Sequence, residues 1–137
     1  MEETAKVYLD SSIFLTVFLG TQELSKKSEH ILDLVKNGKL NGFTSTLTYD
    51  EVFWKVKKMR SRQEAIGACE IFLNFPNLKF IESGLEVIWA AHKLLQKYEI
   101  APRDAIHAAT ALHKNCVMLS HDVDFEKIKE LRLNLLA

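Results

Sequence analysis

Cysteine is scarce in this sequence, with two residues in 137, and proline and glycine are also few, at two and five. Cys69 and Cys116 lie in apolar surroundings, and their spacing matches no known metal site, so we expect both to be small buried hydrophobes. No segment is of low complexity, which argues against a disordered chain. A chain of this length can bury a sizeable core without disulfide or metal staples.

Long hydrophobic runs are also missing. The longest apolar stretch, IFLTVFLG (13–20), is well short of the roughly 20 residues that cross a bilayer, and MEETAK at the start lacks the basic region of a secretory signal. Neither sign of charge is in excess, with 18 basic and 18 acidic residues, so the average charge does not indicate a polyanionic partner. We expect a cytoplasmic protein without a membrane anchor.

Short apolar runs alternate with amphipathic segments through the whole chain. The runs predict strands at 6–10, 42–45, 78–83 and 117–120, the segments between them predict helices, and DFEKIKEL (124–131) predicts a final short helix. Long connections between strands are typical of a parallel sheet with helical crossovers. We therefore expect one α/β domain over residues 1–137.

Aspartates follow two of the predicted strands directly. Asp10 comes after KVYL, and Asp122 and Asp124 come after VMLS. Ligands of parallel sheets bind beyond the carboxyl ends of the strands, so Asp10 and Asp122 should meet at one edge if their strands are neighbours. Residues two apart in an extended segment point to the same side, which places Asp124 with Asp122.

Helix capping is the simpler explanation for each acid taken alone. Asp10 precedes a predicted helix and could be its N-cap, and Asp122 or Asp124 could cap the last helix. Asp104, shortly after Pro102, falls in the first turn of the apolar helix AIHAATAL, where the helix dipole favours an anion.

Glu51 is ambiguous in the same way. Thr48 and Glu51 fit a capping box, and periodicity does not separate Glu51 from its neighbour Asp50 as a functional acid. His107, one turn after Asp104, could face the same cleft, but a lone histidine in a buried helix is more often structural, and that is our expectation.

Several independent caps need not fall at the same edge of one sheet, so their convergence favours a shared site. Carboxylates in one cleft repel by about 4 kcal/mol per pair at ~4 Å and an effective dielectric of about 20. Such a cluster is stable only if it takes up protons or binds a divalent cation. Oxygen ligands without cysteine favour Mg²⁺ or Mn²⁺ over Zn²⁺.

Cations are concentrated in KVKKMRSR (55–62), which contains no acid. They are either a solvated helix face that complements the helix C-terminal dipole or a surface that contacts nucleic acid. Trp54 falls on the outward side of the same helix, where it either anchors a protein partner or simply packs against another helix of the chain.

Four segments in this order resemble the PIN-domain nucleases, and in particular the single-domain VapC-type toxins: VYLDSSIFL, TSTLTYDEV, APRDAIHAATAL and VMLSHDVDF. The resemblance spans nearly the whole chain. It implies a three-layer α/β/α sandwich with a central parallel sheet, and four acids around one or two Mg²⁺ or Mn²⁺ ions. By this resemblance the four catalytic acids are Asp10, Glu51, Asp104 and Asp122.

Further roles follow from the same resemblance. Asp10, Asp104 and Asp122 would hold the metal, and Ser11, Ser120 and Asp124 would support the site. Glu51 is preferred over Asp50 because an apolar residue directly follows the family acid, as in EVF. The family implies an endoribonuclease that is inhibited by a small antitoxin and commonly forms a homodimer, and the stripe of Lys55, Lys58 and Arg62 would contact the RNA.

Two other functions are consistent with parts of the pattern. A PIN-like module without catalysis could bind RNA or act as a scaffold. A receiver-type phosphotransfer domain also gathers aspartates at strand ends, but it needs a lysine after a strand, and this sequence has none there.

Overall fold

One parallel sheet organises the protein, for which the computed structural model describes residues 4–20 and 22–136. Its strand order is β3-β2-β1-β4-β5, and all four neighbouring pairs are parallel. The strands are β1 (Lys6–Leu9), β2 (Asn41–Ser45), β3 (Lys79–Ile81), β4 (Val117–Ser120) and β5 (Leu133–Leu135). The parallel sheet and the four predicted strands are confirmed.

In the described part of the chain, six α-helices connect the strands as crossovers. They are α1 (Ser11–Leu19), α2 (Gln22–Lys36), α3 (Leu47–Met59), α4 (Arg62–Leu73), α5 (Leu85–Lys97) and α6 (Pro102–His113). α1 ends at Gly20, whose positive φ of 71° places it in the left-handed conformation that glycine adopts without strain. No helix within the described ranges is both long and apolar enough to cross a bilayer.

Two hydrophobic cores, one on each face of the sheet, make the three layers. Alternate residues of β1 face opposite sides: Val7 and Leu9 pack with α1 to α4, whereas Tyr8 packs with α5 and α6. Cys69 and Cys116 are free and buried, one in each core, as predicted. The α/β/α sandwich expected from the sequence is confirmed.

The predicted final helix is wrong in type and extent. Val123–Lys127 forms a short 3-10 helix, and turns of the same i to i+3 kind follow at Ile128 and Leu131. Phe125, Ile128 and Leu131 are buried, and their three-residue spacing suits the 3-10 repeat rather than an α-helix. The chain then forms β5, an edge strand that the sequence reading missed.

β1 lies at the centre of the sheet, between β2 and β4. Tyr8 pairs with Met118 and Leu9 with Leu119, so the carboxyl ends of β1 and β4 are side by side. Residues after these two strands therefore reach the same edge of the sheet, as the sequence predicted for Asp10 and Asp122.

Candidate active site

Asp10 is buried at the carboxyl end of β1, with 4% of its surface exposed. It occupies the N-cap position of α1 but makes no capping hydrogen bond, so the capping explanation is wrong for this residue. Its carboxylate instead accepts hydrogen bonds from Ser12 Oγ at 2.6 Å and Ser120 Oγ at 3.0 Å. Burial raises the pKa of Asp10, although His107 and the two serine hydroxyls oppose the rise.

Ser120 links the ends of β1 and β4. Its hydroxyl donates to Asp10 and accepts from the backbone N–H of Asp122 at 2.9 Å. Ser12 makes a parallel link, because its hydroxyl donates to Asp10 and accepts from the backbone N–H of His121 at 3.0 Å. These two hydroxyls fix the backbone that carries Asp122 relative to Asp10. Ser120 was predicted as a supporting residue, and Ser12 was missed.

The side chains of Asp104, Asp122 and Asp124 form a cluster of three carboxylates, the carboxylate group, in which one oxygen from each lies within 4.8 Å of the others. Asp104 projects from the first turn of α6, which begins at Pro102, as predicted. Asp10, predicted as a metal ligand together with Asp104 and Asp122, lies outside this three-residue group. Asp124, predicted only as a supporting residue, belongs to it.

Asp122 has two roles in this arrangement. Its Oδ1 accepts from the backbone N–H of Asp124 at 2.9 Å, so it caps the 3-10 helix, and it also contributes an oxygen to the carboxylate group. For this residue the capping explanation is correct and does not compete with a site role. Asp124 is exposed and also lies 3.7 Å from Lys127 Nζ.

Electrostatic repulsion within the group is visible in the pKa of Asp104. Burial first, and then the negative charge of Asp122, raise it from 3.8 to about 6, with smaller contributions from Asp10 and Glu51, while His107 opposes the rise. A carboxyl with this pKa is half protonated at about pH 6 and mostly ionised at neutral pH. Asp104 therefore takes up a proton on mild acidification, and a divalent cation would compete with that proton.

Glu51 lies on α3, close enough to Asp10 and Asp104 for its charge to raise their pKa values. The space between these acids is the cleft, and both carboxylate oxygens of Glu51 are hydrogen-bonded. Ser11 Oγ donates to Oε2 at 3.0 Å, and His107 Nε2 is hydrogen-bonded to Oε1. Burial alone would raise the pKa of Glu51, but the hydrogen bond and charge of His107, then Ser11 and Arg103, lower it. Glu51 is therefore ionised at neutral pH without a cation.

The structure separates Glu51 from its neighbour. Asp50 is exposed and lies 3.4 Å from Arg103 Nη2 in a surface ion pair. The predicted capping box does not form. α3 begins at Leu47, so Thr48 lies inside the helix and is not its N-cap, and its hydroxyl is hydrogen-bonded to Thr44 instead. Of the two adjacent acids, Glu51 is the one that the fold places in the cleft.

His107 is the main site residue that sequence reasoning undervalued. It is buried in α6, as expected, with 1% of its surface exposed, but it also contacts Glu51, and its Nδ1 lies 2.6 Å from the hydroxyl of Tyr8. Burial alone would lower its pKa, but Glu51, Asp10 and Asp104 raise it. Its position one turn after Asp104 was the available signal.

The predicted RNA-binding cations lie outside the cleft. Lys55, Lys58 and Arg62 are exposed, and Lys58 Nζ is 4.8 Å from the ring centroid of Trp54, which is 49% exposed. Their contact with RNA stays a prediction. Arg103, which the sequence did not single out, also acts on Glu51 through its charge, after His107.

Comparisons with known proteins agree with this architecture. A family model described as the PIN domain matches residues 7–131. Ribonuclease VapC2 of Methanocaldococcus jannaschii is 23% identical over 146 residues, covering 97% of this chain and 95% of that protein. Among solved structures, VapBC2 from Rickettsia felis bound to a promoter DNA fragment superposes with a TM-score of 0.75 at 17% identity, covering 95% of this chain and 98% of the other.

A second solved structure, VapC20 of Mycobacterium tuberculosis, a toxin that cleaves the sarcin-ricin loop, superposes with a TM-score of 0.70 at 14% identity. That superposition covers 88% of this chain and 91% of VapC20. At these identities the solved structures establish the fold alone. The family model spans β1 to β4, all six helices and both cores, and on that basis the chain belongs to the PIN domain family.

Proposed function

We propose that this protein is a metal-dependent endoribonuclease that hydrolyses RNA phosphodiester bonds and acts as the toxin of a toxin–antitoxin pair. The observation that carries the proposal is the carboxylate group of Asp104, Asp122 and Asp124 beside buried Asp10, at the carboxyl edge of a PIN-domain sheet. Similar proteins named as a ribonuclease and as an RNA-cleaving toxin support the substrate class.

The residues at this edge fit a hard divalent cation. The donors are carboxylate oxygens, which Mg²⁺ and Mn²⁺ prefer, and both cysteines are buried in the cores. We assign the cation to Asp10, Asp104 and Asp122, and we add Asp124 because its oxygen lies with the group. The raised pKa of Asp104 supports the assignment, since a cation would relieve the repulsion that causes part of it.

In this assignment the two sides of the cleft have different tasks: the acidic side, with the four aspartates, holds the cation, and the α3 side carries Glu51. A bound divalent ion supplies Lewis-acid polarisation of the phosphoryl oxygen, a lower pKa for the attacking water, and neutralisation of the leaving 3′ oxygen. Glu51 remains ionised and orients the water through its free lone pairs. Ser12 and Ser120 hold Asp10 and the backbone of Asp122 in place, so the acidic side is assembled before RNA arrives.

The RNA backbone would approach across the α3 side of the cleft. Arg103 is close enough for its charge to act on Glu51, and the stripe of Lys55, Lys58 and Arg62 continues outward along α3 and into α4. We propose that these four side chains contact phosphates. Their contribution to affinity would then fall with increasing salt.

We also propose a small antitoxin partner and a homodimer. Exposed apolar side chains are available for such contacts, among them Trp54, Leu85 and Trp89, which are 49%, 74% and 59% exposed. The two free buried cysteines fit the reducing cytoplasm, where an RNA-cleaving toxin would act. Light scattering on the isolated chain would measure its mass, and a monomer at all concentrations would remove the homodimer.

An RNA cleavage assay with Mg²⁺ or Mn²⁺ tests the proposed function, on protein freed of any copurified partner. We expect cleavage that stops with EDTA and falls by at least about 10²-fold in Asp10→Asn. Cleavage that survives chelation, or is unchanged in Asp10→Asn, would overturn the metal-dependent mechanism. RNA binding without cleavage would instead favour the non-catalytic PIN-like module.

A further inference from the structure

We propose that His107 is a positioning residue for Glu51, to which its Nε2 donates, and that the buried hydroxyl of Tyr8 holds the imidazole through its other ring nitrogen. The proposal rests on the ribonuclease function proposed above and adds to it a chain of side chains that leads from the core of the protein to the cleft. It assigns His107 no contact with RNA or with a cation.

Three separate elements supply the chain. Tyr8 comes from β1, His107 from α6 and Glu51 from α3. Tyr8 and His107 are 0% and 1% exposed, so water does not compete for their polar atoms. The hydroxyl of Tyr8 lies 2.6 Å from His107 Nδ1, and the two rings meet edge to face with centroids 5.7 Å apart. On its other side the imidazole reaches Glu51 Oε1 through Nε2.

Against the effect of burial, the neighbouring carboxylates raise the pKa of His107 and so favour the charged ring, in which both nitrogens carry a proton and Nε2 donates to Glu51. The donors and acceptors along this chain also allow only one arrangement of the neutral imidazole. An ionised Glu51 can only accept, so His107 Nε2 must carry the proton. Nδ1 of the neutral ring is then an acceptor, and Tyr8 must donate to it. Burial raises the pKa of Tyr8, so its hydroxyl keeps the proton that this requires. In a neutral histidine, the hydrogen bond at one ring nitrogen decides whether the other nitrogen carries the proton. Here the bond from Tyr8 to Nδ1 keeps the proton on Nε2, which faces Glu51.

This arrangement fixes the orientation of the Glu51 carboxylate. Ser11 holds Oε2 at 3.0 Å and His107 holds Oε1, so the carboxylate is fixed at both ends. Without His107, Glu51 keeps only the bond to a serine on α1 and can rotate about its terminal bond. The lone pairs that face the cleft would then lose their fixed direction, and the rate of the chemical step would fall.

Packing alone does not explain this arrangement. A leucine at position 107 would fill a buried site in α6 without leaving a polar nitrogen to satisfy, whereas the native chain buries a phenol and an imidazole and connects them to the cleft. A structural role predicts that a variant loses stability. A positioning role predicts that a folded variant loses kcat with little change in KM.

Steady-state RNA cleavage by full-length variants separates these roles. His107→Leu removes the donor to Glu51, Tyr8→Phe removes only the hydroxyl, and His107→Gln keeps an N–H donor near the position of Nε2. We expect kcat to fall about 10- to 100-fold in His107→Leu and a few-fold in Tyr8→Phe. His107→Gln should recover part of the loss, and KM should change less than threefold in all of them. His113→Gln, at the exposed end of α6, is the matched control.

A double-mutant cycle makes the test specific for Glu51. If His107 acts through Glu51, His107→Leu should cause no further loss of kcat in a Glu51→Gln background. Full kcat in folded His107→Leu, or a loss that adds to that of Glu51→Gln, would overturn the proposal. If His107→Leu does not fold, Tyr8→Phe and His107→Gln carry the same comparison.

Nitrogen-15 NMR of the histidine side chains gives a readout that does not need cleavage. At a pH high enough for the ring to be neutral, we expect the proton of His107 on Nε2 in the native chain and a mixture of tautomers in Tyr8→Phe, whereas both ring nitrogens should carry protons at lower pH. A proton found on Nδ1 alone, or a tautomer unchanged in Tyr8→Phe, would contradict the proposal. A native chain that cleaves no RNA would overturn the proposed function, and the NMR result would still decide the geometry.

Discussion

The two sides of the cleft hold partly buried carboxylates whose pKa values are shifted in opposite directions. On the α3 side, Glu51 has a donor on each oxygen, and these donors lower its pKa against the effect of burial. On the other side, burial and the charge of Asp122 raise the pKa of Asp104 to about 6. Burial raises the pKa of both acids, so the opposite directions of their net shifts come from the hydrogen-bond donors and charges around each.

This difference assigns separate tasks to the two sides. The fold already compensates the charge of Glu51 with its own side chains, so Glu51 does not require a cation. Of the acids on the other side, Asp124 is paired only at the surface with Lys127, and burial, with the charge of Asp122, raises the pKa of Asp104, so a divalent ion would relieve repulsion there. Experiments that remove one side at a time should therefore give different combinations of lost activity and lost cation binding.

The largest effect is expected from Asp104→Asn, which removes a carboxylate from the acidic side. We expect RNA cleavage to fall by about 10³-fold and Mg²⁺-dependent thermal stabilisation to disappear, because the charge that attracts the cation is reduced. Cleavage assays and melting curves with and without Mg²⁺ measure both effects. Asp33→Asn, which changes an exposed acid on α2, is the control and should alter neither.

Asp104→Asn with full activity or full Mg²⁺ stabilisation would contradict the assignment of this side to the cation. It would leave Asp104 as an acid in the first turn of α6 that interacts only with the helix dipole.

A smaller loss is expected from Glu51→Gln on the other side. Cleavage should fall by about 10²-fold, whereas stabilisation by Mg²⁺ should persist, since Glu51 is not assigned to the cation. Asp50→Asn is the matched control, because this adjacent acid is exposed and paired only at the surface with Arg103. Loss of activity in Asp50→Asn but not in Glu51→Gln would reverse the choice between them.

The carboxyl edge was predictable from the sequence because it depends on local patterns. A strand followed by an aspartate can be recognised twice, at Asp10 and Asp122, and the rule for parallel sheets brings such ends together once the strands are neighbours. β5 was not predictable in the same way. LNL is three residues long, and it follows a 3-10 segment whose apolar spacing imitates a short helix.

The bonds of Glu51 could not be predicted, because they join elements that are distant in the chain. His107 is 56 residues from Glu51 and 99 from Tyr8. Periodicity gives the face of a helix on which a residue lies, but the element opposite that face is set by tertiary packing. For the same reason the sequence allowed a capping box at Glu51 that the fold does not form.

The exposed cations on α3 and at the start of α4 should contribute to RNA affinity. Replacing Lys55, Lys58 and Arg62 together by alanine should reduce the slope of log affinity against log salt by about 2, since each single-strand phosphate contact contributes about 0.7. Binding titrations on catalytically inactive Asp104→Asn measure this slope. Alanine at Lys6, Lys36 and Lys39 makes the same change of charge near the amino ends of β1 and β2 and should leave it unchanged.

An unchanged slope in the first triple variant would remove the stripe from the RNA path. The same titration with Arg103→Ala would then show whether the RNA contacts only the immediate surroundings of Glu51.

The smallest effect concerns stability against pH without a cation. The folded chain holds the proton of Asp104 with a pKa of about 6, compared with an ordinary value of 3.8. Protonation therefore stabilises the fold fully below pH 3.8, and this contribution is lost as the pH rises through 6. Because the side chain is half-exposed, we allow for solvent screening and expect a change of about 1 kcal/mol in the free energy of unfolding.

Melting curves of the native chain and Asp104→Asn at pH 4 and pH 7.5 isolate this contribution. The lowered pKa of Glu51 acts in the opposite direction, stabilising the fold above about pH 4.5, but Glu51 is present in both proteins. The difference between them therefore reports Asp104 together with its charge interactions with Glu51 and His107. Asp104→Asn should melt about 3 °C above the native chain at pH 7.5, and the gap should close at pH 4. If the variant melts below the native chain at pH 7.5, attraction to the helix dipole outweighs repulsion within the carboxylate group, and the acidic side needs no cation to be stable.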